Sequence, residues 1–385
     1  MNVDTPFYLI DETRMITYLE RIRYVKEKSG ARSVLALKSF SNWCVFELMR
    51  NYLDGTTSSG VYEARLGYEK FGGETHAYCV AFSKPEVEEI IRYCDKIIFN
   101  SIGQLERYKG IVKGISVGLR VNPMVGWSCH GISDPVGRYS RLGAPVSALP
   151  RDIGKELDGI MLHYNCDHED FDRFSHQLKM IGNSLGALLH QVEWVSLGGG
   201  VTFTTDGYPI DDFCDVLKAF AERFDVQVYL EPGEAAVTRS TSLVVTVLDI
   251  IHNDRTTLIV DAGTEPHLLD VLTYKYAPAL EEGEILAWSD TEEFEEPDEG
   301  YVYVVCGRTC LAGDRFGIYR FDREIEIGDR LHFNNAGAYS IVKKNWFNGI
   351  KMPSIVHKRL DGAVKMVQVP TYEDYLSEKQ NISLR

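Results

Sequence analysis

Lys38 closes an apolar run, Val34-Leu35-Ala36-Leu37. If that run is a strand of a β/α barrel, its C-terminal end is where such barrels carry their active sites. A lysine there can condense with an aldehyde to form a Schiff base. Taken alone, it reads first as a solvated lysine at a strand end. His163 follows Gly159-Ile160-Met161-Leu162. Its imidazole could lie against a flat ring or serve only the structure. Ser196-Leu197-Gly198-Gly199-Gly200 also follows an apolar run. Adjacent glycines let backbone N–H groups approach an anion such as phosphate, or simply make a tight turn. Glu231-Pro232-Gly233 follows Val228-Tyr229-Leu230. A carboxylate at that exit can pair with a protonated pyridine nitrogen and keep a cofactor ring an electron sink. Farther on, Cys310 and Asp314 share the stretch Thr309-Cys310-Leu311-Ala312-Gly313-Asp314. A thiol on such a loop can act as a proton donor.

Several other chemistries lose support. No G-x-G-x-x-G or G-x-x-x-x-G-K-[ST] pattern is present, which argues against dinucleotide and nucleoside-triphosphate sites. His163 and His168 lie five apart with no H-E-x-x-H pattern, so no metal is expected.

These candidates need elements to carry them. Short apolar runs fall at Ser33–Leu37, Ala77–Ala81, Lys96–Phe99, Ser116–Val121, Gly159–Leu162, Val192–Leu197 and Gln227–Leu230. Helical patterns intervene, such as Val45–Leu53, Glu86–Cys94, Phe171–Leu189 and Phe213–Phe224. Such alternation predicts βα units around a parallel sheet of TIM-barrel size, with a doubly wound sheet as the alternative. After about residue 240 the texture becomes β-rich, with runs at Ser242–Ile251, Thr256–Val260, Tyr301–Val305, Phe316–Phe321 and Arg330–Phe333. The fold class expected is α/β, an N-terminal β/α barrel over 14–240 followed by a mainly antiparallel β domain over 241–385. The acidic stretch Thr291–Gly300 reads as an exposed loop.

The chain has 385 residues, 44% of them hydrophobic, enough for a large core. No apolar run reaches the roughly 18 residues of a membrane span, and the first residues lack a basic segment followed by an apolar one. A cytoplasmic protein is expected. The net charge of −15 argues against nucleic acid and is compatible with small or cationic ligands. Eight scattered cysteines form no C-x-x-C pair, hence neither a disulfide framework nor a zinc ribbon.

Together and in this order, the motifs resemble the fold-type III pyridoxal-phosphate decarboxylases, the alanine-racemase-like group. The likeness runs from Thr5-Pro6-Phe7-Tyr8 to Asn345–Gly349. Ala36-Leu37-Lys38-Ser39-Phe40, Glu231-Pro232-Gly233-Glu234-Ala235, the Cys310 loop and Phe347-Asn348-Gly349 resemble the branch acting on carboxynorspermidine and carboxyspermidine. The resemblance implies a β domain that includes the N-terminal strand within 1–13, and a homodimer whose Cys310 loop completes the partner's site. It implies pyridoxal 5'-phosphate on Lys38, stacked by His163. Glu231 would meet the pyridine nitrogen, and Glu63 would lie near the cofactor. Gly199, Gly200, Gly233 and Tyr339 would hold the phosphate, and Cys310 would protonate the product carbon. Two departures stand out. Glu234 occupies the position where relatives acting on ornithine or diaminopimelate carry Arg, and Leu311 replaces the Asp that follows the cysteine in ornithine decarboxylases. Glu234, Asp270 and Asp314 are therefore the candidate anions for a carboxylated polyamine substrate. The rivals are an amino-acid racemase, another decarboxylase of the group and a non-catalytic regulatory relative.

Overall fold

The computed structural model describes residues 3–380; of the expected domain ranges, only the two ends of the β domain, 1–2 and 381–385, lie outside them. The described residues divide into two compact units, residues 16–236 and residues 3–15 with 237–380.

The first unit is a closed parallel barrel. Its strands in chain order are Arg32–Ala36, Gly55–Ser58, Glu74–Tyr78, Lys96–Phe99, Ser116–Asn122, Gly159–Met161, Trp194–Ser196 and Gln227–Leu230. Lys96–Phe99 pairs with Ser116–Asn122, and Gln227–Leu230 pairs back to Arg32–Ala36, which closes the ring. Helices Phe171–Leu189 and Ile210–Phe224 turn apolar faces inward, burying Leu178, Ile181 and Leu185 on one and Phe213, Leu217 and Phe224 on the other. The doubly wound alternative is excluded by this closure.

Side chains fill the barrel, and its lower layer is unusual. Val34, Ile98, Met161, Trp194 and Tyr229 form one buried cluster. A Cβ on Gly159 would lie 2.0 Å from the Trp194 indole, so glycine makes room for that ring. Beside it stands Glu74, whose carboxylate accepts from Lys96 Nζ at 2.5 Å and Tyr229 Oη at 2.8 Å, and pairs with Arg32. Burial works against this charge, but hydrogen bonds from His76, Lys96 and Tyr229 prevail and hold Glu74 well below the usual carboxylate range. The network closes the barrel end opposite the candidate catalytic residues.

The second unit is a nine-stranded mixed, mainly antiparallel sheet. Phe7–Asp11 runs antiparallel to Thr241–His252 and parallel to Ser354–Lys358, so this N-terminal strand belongs to the sheet. Thr256–Val260, Tyr301–Cys306, Arg315–Phe321 and Gly283–Ala287 continue it on one side, Val364–Gln368 borders the other, and Arg330–Phe333 pairs with Thr241–His252. The 291–300 stretch forms neither strand nor helix and is mostly exposed.

Candidate active site

At the C-terminal ends of the barrel strands, Lys38, Tyr78, Arg120, Met161, His163 and Glu231 line one cleft. Each strand exit delivers one group. Lys38 follows Arg32–Ala36, His163 follows Gly159–Met161, and Glu231 follows Gln227–Leu230. A larger surface cavity of about 470 Å³, lined by Glu20, Arg21, Tyr24 and Tyr208 among others, brings together no comparable set. Chemistry, not volume, marks the smaller cleft as the site.

Lys38 is exposed by surface area but stands among protein groups. Loss of surrounding water pushes its ammonium below the ordinary lysine range; Glu231 opposes the shift and Arg120 adds to it. His163 is driven well below the ordinary histidine range by desolvation and by the positive charges of Lys38 and Arg120. Its Nδ1 accepts a hydrogen bond from Gly199 N–H at 3.1 Å, which puts the proton of the neutral ring on Nε2. Glu231 is 6% exposed, and Ser196 Oγ donates to its Oε1 at 2.5 Å. That same Oγ accepts from Gly198 N–H at 3.2 Å. Glu63 is partly buried and raised by desolvation, against the pull of Ser59 N–H and Lys38.

The glycine run is tied into this framework. A Cβ on Gly199 would lie 2.4 Å from the Glu231 carbonyl oxygen, and Gly200 has φ +92 with Asn165 O at 2.1 Å from its notional Cβ. Only glycine permits that approach. Gly199 N–H is engaged by His163, so Gly200 and the turn at Gly233 are the better backbone candidates for an anion. Glu234 begins the short helix Glu234–Val237 and is half-buried.

Sequence reasoning missed Arg120, Tyr78 and Ser196. Arg120 is 3% exposed and lies 4.9 Å from the Tyr78 ring centroid. Its Nη2 donates to His163 O at 3.2 Å, while its Nε has no hydrogen-bond partner. Both side-chain polar atoms of Asn165 are also buried and unpartnered. Unsatisfied polar atoms around a cleft are what a polar ligand or water would complete.

Other expected site residues lie in the sheet unit. Cys310 is exposed. Asp314 is 4% exposed, with Oδ1 accepting from Thr264 N and Oγ1 and Oδ2 from Thr309 N and Oγ1, so it braces the Cys310 loop. Asp270 accepts from Lys343 Nζ at 2.6 Å. Lys343 lies 5.0 Å from the ring centroid of Tyr339, whose φ is 54. Glu281, Glu282 and His332 could offer three metal ligands. The cluster already holds its own ion pairs, to Arg14 and between Glu282 and His332.

Residues 7–337 match the family described as pyridoxal-dependent decarboxylase, C-terminal sheet domain. The chain belongs to the pyridoxal-dependent decarboxylases. It is 47% identical over 97% of its length to a carboxynorspermidine/carboxyspermidine decarboxylase of Herminiimonas arsenicoxydans, covering 99% of that protein. A protein of the same name from Campylobacter jejuni is 34% identical, with 97% of this chain and 98% of that one covered. The crystal structure of the Campylobacter jejuni carboxynorspermidine decarboxylase complexed with norspermidine superposes with a TM-score of 0.90 at 33% identity, covering 98% of this chain and all of the other. This decarboxylase uses pyridoxal phosphate, and the cleft fits that cofactor: an amine for its aldehyde, a buried carboxylate for its ring nitrogen, and glycine backbone for its phosphate. Among the described residues, no helix is long and apolar enough to cross a membrane.

Proposed function

We propose that the protein decarboxylates carboxynorspermidine and carboxyspermidine to norspermidine and spermidine in polyamine biosynthesis. Full-length likeness to decarboxylases of that name carries the substrate class. The cofactor, when bound, supplies the sink for the electrons left as CO₂ departs. Lys38 would hold it covalently, and Glu231, oriented by Ser196, would keep the ring nitrogen protonated. His163, fixed by Gly199 N–H, would flank the ring, and Glu63 would line the cofactor's surroundings. Backbone N–H groups at Gly200 and Gly233, with the Tyr339 hydroxyl, would bind the phosphate. Cys310 would deliver a proton from Sγ to the substrate α-carbon as general acid.

Substrate polarity provides the test. The tail of a carboxylated polyamine carries ammonium groups, and burying one unpaired is costly. Glu234 would place an anion where, by the resemblance, diaminopimelate-type enzymes carry Arg, and Asp270, paired with Lys343, is a second candidate. Asp314, engaged by Thr264 and Thr309, would act through the loop it shapes. A distal carboxylate, as in diaminopimelate, would meet repulsion instead. Turnover of carboxynorspermidine, carboxyspermidine, diaminopimelate, ornithine and arginine is therefore expected to favour the first two over diaminopimelate by roughly a hundredfold in kcat/KM. Comparable values for diaminopimelate and carboxynorspermidine would overturn the substrate assignment and leave the decarboxylase standing.

The assembly is proposed as a cytoplasmic homodimer with sites completed across the interface. Eight free cysteines support a reducing compartment. Exposure of Cys310 supports its service to a second subunit. Mixing Lys38→Ala and Cys310→Ala proteins under exchange is expected to restore activity well above either parent, because a hybrid holds one intact site. Failure to complement, with exchange verified by mass, would sink the shared site.

A further inference from the structure

We propose that Asn348 is the positioning residue for Cys310, aiming the thiol as the proton donor. The inference rests on the decarboxylase reading above, which gives Cys310 its role.

An exposed cysteine on a loop has several staggered χ1 wells open to it, and only some direct Sγ usefully. Here one side chain contacts both ends of the residue. Cys310 N–H donates to Asn348 Oδ1 at 2.7 Å, and Asn348 Nδ2 donates to Cys310 Sγ at 3.2 Å. The backbone bond fixes where the residue sits, and the sulfur bond selects where Sγ points. An aspartate could make the first contact only, because it lacks the donor. Asn348 also adopts φ 58 and ψ 8, a left-handed conformation that asparagine tolerates better than most residues.

Both partners are anchored independently. Asp314 braces the Cys310 loop through Thr264 and Thr309. Asn345 N–H donates to Pro266 O at 3.0 Å, and Asn345 Oδ1 accepts from Phe347 N–H at 2.8 Å, which fixes the turn before Asn348. The amide therefore meets the sulfur from a fixed direction.

The chemistry follows from that direction. With Sγ accepting the amide N–H, the S–H hydrogen is turned away from Asn348 and is left as the donor. During turnover the electron pair of the breaking C–CO₂ bond ends in a new C–H bond at the substrate α-carbon. The proton comes from Cys310 Sγ, which is left as thiolate and is reprotonated from water. The Asn348 N–H then faces an anion, and hydrogen bonds to charged acceptors are about twice as strong as neutral ones. Asn348 thus assists the donor most when its proton has gone.

Two variants separate this from simple support of the loop. Asn348→Asp keeps an acceptor for Cys310 N–H and removes the donor to Sγ. Asn348→Gly keeps the left-handed backbone and removes both contacts. Two readouts apply to each. One is the alkylation rate of Cys310 by iodoacetamide in cofactor-free protein, mapped by mass spectrometry, with exposed Cys129 as internal reference. The other is the ratio of pyridoxamine phosphate to polyamine formed by the holoenzyme, which counts misdirected protons. For Asn348→Asp, Cys310 alkylation is expected to fall several-fold against Cys129. The misdirected fraction should rise about tenfold and kcat should fall about tenfold with KM little changed. Asn348→Gly should misdirect protons similarly. A folded, cofactor-loaded Asn348→Asp protein with wild-type alkylation and partition overturns the proposal. So does a fall in kcat with both readouts unmoved. The alkylation arm needs no substrate, so it still decides if carboxynorspermidine proves not to be turned over.

Discussion

Lys38→Ala is expected to abolish the visible absorbance of lysine-bound cofactor and to cut CO₂ release by at least about a thousandfold. The barrel leaves little choice of nucleophile. Lys38 is the lysine lining the cleft with Arg120, His163 and Glu231. Loss of hydration lowers its ammonium, Arg120 adds to that, and Glu231 opposes it. A lowered amine is neutral, and therefore nucleophilic, over a wider range below the ordinary lysine value. Lys38→Arg should fail equally, because a guanidinium keeps the charge and loses the nucleophile. Spectra before and after borohydride, with mass mapping of the modified peptide, check the result directly. A Lys38→Ala protein that keeps both the absorbance band and near-normal turnover would remove Lys38 from the chemistry.

Three of the cleft's groups were legible in the sequence because they end recognisable strands. Lys38, His163 and Glu231 each follow an apolar run, and a barrel gathers such exits at one end. What escaped notice lay where the barrel interior is polar. Gly55–Ser58 is fully buried, yet Gly-Thr-Thr-Ser offers no apolar residue to announce a strand. The strand Glu74–Tyr78 precedes the apolar run expected at Ala77–Ala81, because Glu74 and His76 belong to the polar network rather than to an apolar layer. The helix expected over Val45–Leu53 shortens to Phe46–Met49 after a 3-10 turn. In the sheet unit, Gly283–Ala287, Ser354–Lys358 and Val364–Gln368 also went unread. Gly283–Ala287 buries only Ala287, and all of Val364–Gln368 is open to solvent, so both carry weak patterns.

Site residues were missed for a related reason. Arg120 interrupts Ser116–Asn122, which otherwise reads as an ordinary core strand. The signal was available: a guanidinium within a buried run needs a partner, and a cleft is one place to find it. Ser196 and Asn348 gave no such signal. Their importance depends on a carboxylate 35 residues away and a thiol 38 residues away, which only the folded chain brings close. The same holds for Asp314, which the sequence offers as a free anion and the fold surrounds with Thr264 and Thr309 donors.

Glu231→Gln is expected to lower kcat by roughly ten- to a hundredfold while leaving the cofactor on Lys38. Glutamine is nearly isosteric, and its Oε1 can still accept from Ser196 Oγ, so the framework at the strand exit should persist. What disappears is the buried negative charge. That carboxylate is 6% exposed and lies close enough to Lys38 to oppose the lowering of its amine. In the loaded enzyme its proposed partner is the protonated ring nitrogen. Loss of a charged hydrogen-bond partner costs about 1.5–3 kcal/mol, and each 1.4 kcal/mol is tenfold in rate when the interaction strengthens toward the transition state. Glu231→Asp retains charge but retracts it by one methylene, and should fall between. Ser196→Ala leaves the charge in place and frees its orientation, so a smaller loss is expected. The decisive comparison is kcat measured beside cofactor content and the absorbance of the lysine-bound cofactor. A Glu231→Gln enzyme with full cofactor and near-wild-type kcat would show that the buried charge is not what keeps the cofactor an electron sink.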